Sequence, residues 1–216
     1  MAVIEGGVSG ALGEVDLGSL AQRTSIRPTR TLAWNSLGAV TGALTLIAAG
    51  GRIFSLRNTH GSNLILVRRV GIGFMTTTAF TASQPLDFGL AVARSFTVAD
   101  SVGTDTSPTG NITKHRTSLA TPNVAARISA AAVVSGGTLT VDTSYLGMAA
   151  GGSTGLATGL IPTQDNLLQH ATADLPVVLA ANEGIVINSL TVMGVGGVVK
   201  IYVNLEYAEI AAADYA

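Results

Sequence analysis

A chain of 216 residues with a formal charge of −1 has no long-range field with which to gather nucleic acid or an anionic membrane surface. Charged residues make up 12%, against about 25% in an ordinary soluble domain. Cysteine is absent, which excludes a disulfide framework and a thiolate zinc site.

Mean hydropathy is +0.47, so a membrane span has to be considered. The longest apolar run, Leu37 to Ala49, is interrupted by Gly38, Thr41, Gly42 and Thr45 and falls short of the ~20 residues that cross a bilayer as a helix. No transmembrane helix and no cofactor are expected. Low charge with high apolar content suits a chain that buries surface against other chains as well as in its own core.

The first segment, residues 1–30, is poor in large apolar side chains, rich in glycine, and carries its basic residues at its end: Arg23, Arg27 and Arg30. It is expected to be an extended arm whose arginines bind carboxylates or carbonyls of a neighbouring subunit. Lacking a basic leader and carrying Glu5 and Glu14, it does not read as a secretory signal, so synthesis in a cytoplasm is expected.

Residues 31–216 are expected to form one domain. Thr31 to Ile47, beginning near the single tryptophan Trp34, predicts one or two strands. Gly50-Gly51 breaks the chain. Arg52 to Arg57 and Leu64 to Phe74 then predict two strands around the turn Asn58 to Asn63, joined as a hairpin. Arg57, Arg68 and Arg69 on them read as outward strand residues or a basic patch. Ala79 to Leu86 predicts a turn-rich connection. Phe88 to Ala99 predicts a strand with Phe88, Leu90 and Val92 on one face and Ala93, Ser95 and Thr97 on the other. The polar run Asp100 to Lys114 predicts a long loop, in which Asp100, Asp105 and Asn111 do not follow the spacing of a calcium loop.

Ala125 to Val134 and Thr138 to Tyr145 predict a second hairpin around Ser135-Gly136-Gly137. Gly147 to Gly159 reads as a flexible linker, because it lacks the Gly-Lys-Ser/Thr ending of a phosphate loop. Thr163 to Thr172 offers the one credible helical turn. From Leu175 to Ile210 the signal is clearest. Val177 to Ala180 and Ile185 to Leu190 are short β-branched runs flanking Asn182-Glu183-Gly184. Val199, Ile201, Val203, Leu205 and Tyr207 then alternate with Lys200, Tyr202, Asn204 and Glu206, which predicts a half-buried strand with the first set facing the core. About eight short strands with glycine-rich turns and almost no helix predict an all-β, antiparallel, jelly-roll-like sandwich.

No chemistry stands out. His60, His115 and His170 lack a second histidine at chelating spacing, the serines lack a nucleophile-elbow setting, and Asp16, Glu183, Glu206 and Glu209 read as scaffold acids and not a glycosidase pair. Neither a catalytic nor a metal site is expected.

Two stretches do carry a likeness. GRIFSLRNTHGSNLILVRRVGIGF (Gly51 to Phe74) and LPVVLAANEGIVINSLTVMGVGGVVKIYVNLEYAEI (Leu175 to Ile210), together with Glu14 to Thr29, resemble virion structural proteins of tailed bacteriophages. The chain has Tyr207 where that pattern ends in tryptophan, and Ala99 to Gly159 matches nothing in it. The resemblance implies a capsid decoration or cement protein, a homotrimer bound between subunits of the major capsid protein at the capsid surface. The alternative is a tail or head-fibre module that binds a host-surface glycan through a loop such as Asp100 to Lys114.

Overall fold

The computed structural model describes residues 33–107, 113–114, 120–153, 159–169 and 176–214. The expected arm of residues 1–30 lies outside them. Among the described residues the chain forms strands β1 (Ala33–Val40), β2 (Arg52–Asn58), β3 (Leu64–Thr78), β4 (Gln84–Val98), β5 (Thr104–Asp105), β6 (Thr113–Lys114), β7 (Val124–Ile128), β8 (Thr138–Ser153), β9 (Gly159–Gln169), β10 (Val177–Leu179), β11 (Gly184–Ser189) and β12 (Val198–Ile210). One 3-10 turn, Ala212–Asp214, closes the described chain. No helix among the described residues is long and apolar enough to cross a membrane.

The strands form two sheets. The first runs β10-β3-β12-β1-β6, with β9 also on β3, and the second runs β5-β7-β2-β11-β4-β8. Every strand pairing is antiparallel. Among the longer strands, β1 pairs β12, β2 pairs β11, β3 pairs β9 and β4 pairs β8. These four nested pairs, wound so that successive pairs alternate between the sheets, are the jelly roll that the strand spacing predicts.

The alternation in β12 explains its central place. Val199, Ile201, Val203, Leu205 and Tyr207 are all buried, and they join Phe54, Leu56, Leu90, Ile185 and Ile187 of the opposite sheet in one core cluster. The rings of Phe74 and Phe88 bridge the two sheets at 5.7 Å. Each such side chain contributes about 1.5–3 kcal/mol on burial, so a register slip in β12 that turned this set to solvent would cost several times the margin of a domain.

Four expectations about connectivity or local structure are corrected. β2 and β3 are not a hairpin: β2 pairs β7 and β11, whereas β3 pairs β12, β9 and β10 in the other sheet. The turn residues Asn58 to Asn63 carry the chain across the sandwich. β7 and β8 likewise lie on opposite sides of the second sheet and do not pair. Thr163 to Gln169 is strand, not helix. It belongs to β9, where a register slip around Leu167 buries both Leu167 and Leu168 and so produces an adjacent leucine pair that imitates a helical face. Gly147 to Ser153, read as linker, continues β8 along Leu90 to Gln84 of β4. A Cβ at Gly147 would collide with the Leu167 carbonyl, so glycine there allows β8 and β9 to cross closely.

The predicted faces of β4 hold: Phe88, Leu90 and Val92 enter the core cluster. Ser95 adopts φ 48°, and past this irregularity Phe96 lies buried with Ala91, Ala93 and Val186 in a second, smaller cluster on the outer side of the sheet. Asp100 is buried near it. Its Oδ1 accepts from Arg52 Nη2 at 2.8 Å and from the Gly137 amide at 2.9 Å, pinning the start of the Asp100 to Lys114 segment to the sheet.

Candidate functional site

The carboxylates decide whether the fold carries acid–base chemistry. Glu183 Oε1 accepts from Arg94 Nη1 at 2.5 Å, and its Oε2 accepts from the Ala180 amide at 2.9 Å, closing the tight turn in which Asn182 sits at φ 60°. Arg94 also reaches Asp142 at 3.3 Å. Hydrogen bonds to Glu183 first and Asp142 second hold its guanidinium above the ordinary arginine range. Glu209 accepts from Asn63 Nδ2 and the Asn123 amide, both at 2.6 Å, tying the loop after β2 to the segment before β7. Glu206 accepts from Arg68 Nε at 2.7 Å, and the Arg68 guanidinium lies 4.4 Å from the centre of the Trp34 ring. These acids brace loops and strands and do not face one another across a cleft. Asp16 lies outside the described residues.

The remaining candidates disperse. His60 Nδ1 accepts from the amides of Ser62 and Asn63 at 3.1 and 2.8 Å, which makes it a turn-forming side chain. Asp105 accepts from the Ser107 amide at 2.8 Å. Hydrogen bonds from Ser107, with Arg127 a smaller influence, hold its carboxyl below the usual range. His115, His170, Asn111 and the expected partner-binding residues Arg23, Arg27 and Arg30 lie outside the described residues. Among the described residues no group of three or more His, Asp or Glu side chains is placed to hold a metal ion. Arg57 bonds Asn182 Oδ1 at 2.6 Å on the second sheet, so it forms no patch with Arg68 and Arg69 on the first.

A concave feature among the described residues lies on the outer face of the first sheet. It is a hollow of about 330 Å³ lined by Ser36, Leu37 and Gly38 of β1, Asn204, Leu205 and Glu206 of β12, and Arg69 of β3. Strand register builds it row by row. Ser36, Glu206 and Arg69 stand side by side, then Gly38, Asn204 and Gly71, then Val40, Tyr202 and Gly73. On the far side of Gly71, β9 adds Asn166, whose Oδ1 accepts from Arg69 Nε at 3.3 Å. A bulge at Arg68, where Glu206 pairs Arg69 and Tyr207 pairs Val67, lets two successive arginines share this face while Val67 and Val70 both stay in the core.

The face changes character along its length. Around Trp34 it is apolar, with Leu66, Ala208 and Ile210 buried in their own cluster. At Glu206 it is charged, at Asn204 it is recessed between glycines, and at Tyr202 and Val40, 40% and 49% exposed, it is apolar again. Sequence alternation points Tyr202 and Asn204 outward, as observed. Gly38, Gly71 and Asn166 come to the hollow only through the jelly-roll order, which no local signal reveals.

No protein-family model and no curated protein matches the chain.

Proposed function

We propose that the protein is a structural component of a tailed-bacteriophage particle, decorating the capsid by binding between major capsid protein subunits as a homotrimer. The observation that carries this reading is the likeness of Gly51 to Phe74 and Leu175 to Ile210 to phage virion proteins. Those two stretches supply β2, most of β3, β10, β11 and β12, of which all but the edge strand β10 sit inside the two sheets. The glutamates support it, since Glu183, Glu206 and Glu209 are each engaged as a brace. So does the surface: Leu46, Val192 and Val195 are 60–64% exposed on the loops after β1 and β11, which meet through the Met193 amide and the Ile47 carbonyl. That uncharged tip offers apolar contact area, and symmetric repetition over a shell multiplies modest contacts into avidity. In this reading Arg23, Arg27 and Arg30 hydrogen-bond to carboxylates of the neighbouring subunit.

A reconstruction of purified particles tests the proposal directly: density for the sandwich between capsomers is expected, and its absence from the shell refutes it. The fibre alternative rested on the Asp100 to Lys114 loop. Of that loop's described residues, Asp100 and Asp105 are engaged by Arg52, Gly137 and Ser107, and none is aromatic.

A further inference from the structure

Glycine inside a strand weakens it, and such a position is retained where a turn, a close packing contact or an approaching ligand requires the missing side chain. Gly147 and Gly184 have the packing reason: a Cβ at either would run into a neighbouring backbone carbonyl. Gly38 and Gly71 do not. An added Cβ at Gly38 meets nothing nearer than Asn204 Oδ1 at 3.5 Å, and at Gly71 nothing nearer than 3.7 Å, ordinary van der Waals distances. Neither has the positive φ that would require glycine. They flank Asn204 on both sides: Gly38 lines the outer hollow, and Gly71 stands beside it in the same row.

The chemistry around those two glycines is specific. Asn204 is exposed, makes no side-chain hydrogen bond among the described residues, and can both donate and accept. Arg69 engages Asn166 through Nε, leaving its terminal nitrogens as donors toward the hollow, and Glu206 engages Arg68 through Oε2, leaving Oε1 as an acceptor. Arg69 and Glu206 stand in one row with opposite charges, and with Arg68, which pairs with Glu206, the face carries a single excess positive charge. Two residues along the same face of β12, the Tyr202 ring is exposed beside Gly73, with no side chain across from it on β3.

From this placement we propose that the hollow is a subsite for a neutral saccharide, of the size of one hexose unit. Adjacent hydroxyls, each a donor and an acceptor, match the amide of Asn204 together with the guanidinium of Arg69 and the carboxylate of Glu206. The aliphatic face of the sugar ring lies on Tyr202. The recessed backbone at Gly38 and Gly71 gives the ring room to descend between the strands. A volume of about 330 Å³ is at the small end of ligand sites and too local for a stable protein partner, which needs about 800 Å² on each side. The proposal goes beyond attachment to a capsid and holds wherever the sandwich is mounted.

The test uses the full-length protein on a printed array of neutral and sialylated glycans, followed by saturation-transfer NMR with free galactose, mannose and N-acetylglucosamine. Binding to at least one neutral saccharide is expected, weakened about tenfold or more by Tyr202→Ala and by Asn204→Ala. The double variant Gly38→Ala/Gly71→Ala keeps the wild-type circular dichroism and melting temperature, because both added methyl groups fit, yet loses the saccharide. The inference is overturned if no neutral saccharide binds, if only sialylated glycans bind, or if binding survives the double glycine variant. It is also overturned if that variant changes only the oligomeric mass in light scattering, which would assign the face to a second copy of the chain.

Discussion

Tyr207 allows the energetics of the core to be tested at a single atom. Its ring is fully buried in the main cluster, and its hydroxyl has no hydrogen-bond partner among the described residues. An orphaned buried hydroxyl costs about 1–3 kcal/mol, and Tyr207→Phe removes it while leaving the ring in place. At pH 7 the variant is therefore expected to be more stable by about 1 kcal/mol, equivalent to about 2–4 °C in melting temperature for a domain of this size. Burial, and secondarily the charge of Glu209, push the phenol pKa well above its ordinary value near 10. Below about pH 10 the phenol keeps its proton in both states and this contribution to stability is complete. Above it the unfolded chain releases a proton that the folded chain retains, so the wild type loses ~1.4 kcal/mol per pH unit from this residue until the folded pKa is reached. Urea unfolding of both proteins at pH 7 and between pH 10 and 11.5 measures the two effects. A variant less stable by more than about 1 kcal/mol at pH 7, or one with the same alkaline slope as the wild type, would refute the reasoning.

Other perturbations follow from the same geometry. Asp100→Ala leaves Arg52 without its buried acceptor and is expected to lower stability by about 3–5 kcal/mol in urea unfolding, whereas Asp105→Ala, at an exposed carboxylate, changes it by less than about 1 kcal/mol. Because the Asp105 pKa is lowered in the fold, the small stability it confers is present above its unfolded value near 3.9 and disappears as pH falls through the folded one; acid titration of Asp105→Asn against wild type reads this. Arg68→Ala removes the cation over Trp34 and the partner of Glu206. It should cost about 1 kcal/mol and shift the emission of the single tryptophan to longer wavelength. Gly147→Ala forces β8 away from the Leu167 carbonyl and is expected to destabilise by about 1–3 kcal/mol, in contrast to Gly71→Ala. Deleting residues 1–30 is expected to leave a folded sandwich that binds particles more weakly; unchanged co-sedimentation with undecorated particles would remove the arm from the mechanism.

What could be read from the sequence depended on the range of the interaction. The period of β12 is local, since burying Val199, Ile201, Val203 and Leu205 requires alternate residues on one face whatever lies opposite. The turns at Asn58 to Asn63 and at Ser135 to Gly137 were local too, and the chain does turn there. Turn chemistry states that the chain changes direction and not where the next strand is received, so one expected hairpin gave way to a crossing between sheets, from β2 to β3, and the other to a connection from β7 to the far edge of the same sheet at β8. β9 misled because Leu167 and Leu168 are buried together at an irregularity, a pattern that two-residue alternation does not produce. Gly147 to Ser153 looked like linker because low side-chain complexity marks loops and tight crossings alike. The hollow shows the same division: Tyr202 and Asn204 were legible as outward residues of one strand. Gly38 and Gly71, 33 positions apart in sequence, become neighbours of Asn204 only when β12 inserts between β1 and β3.

That insertion also dictates when the molecule can form. β11 lies between β2 and β4, and β12 lies between β1 and β3, so each sheet has its middle supplied by the latest of the described strands in chain order. While the first 180 or so residues are made, β1 and β3 have no shared neighbour, and neither do β2 and β4. Both half-sheets wait with unpaired edges, the condition under which β-rich chains associate wrongly. The sandwich therefore closes only after β11 and β12 have been made, with a high contact order and a slow rate. Loss of β12 alone would leave no partly working sandwich, because it separates β1 from β3 along their whole shared length.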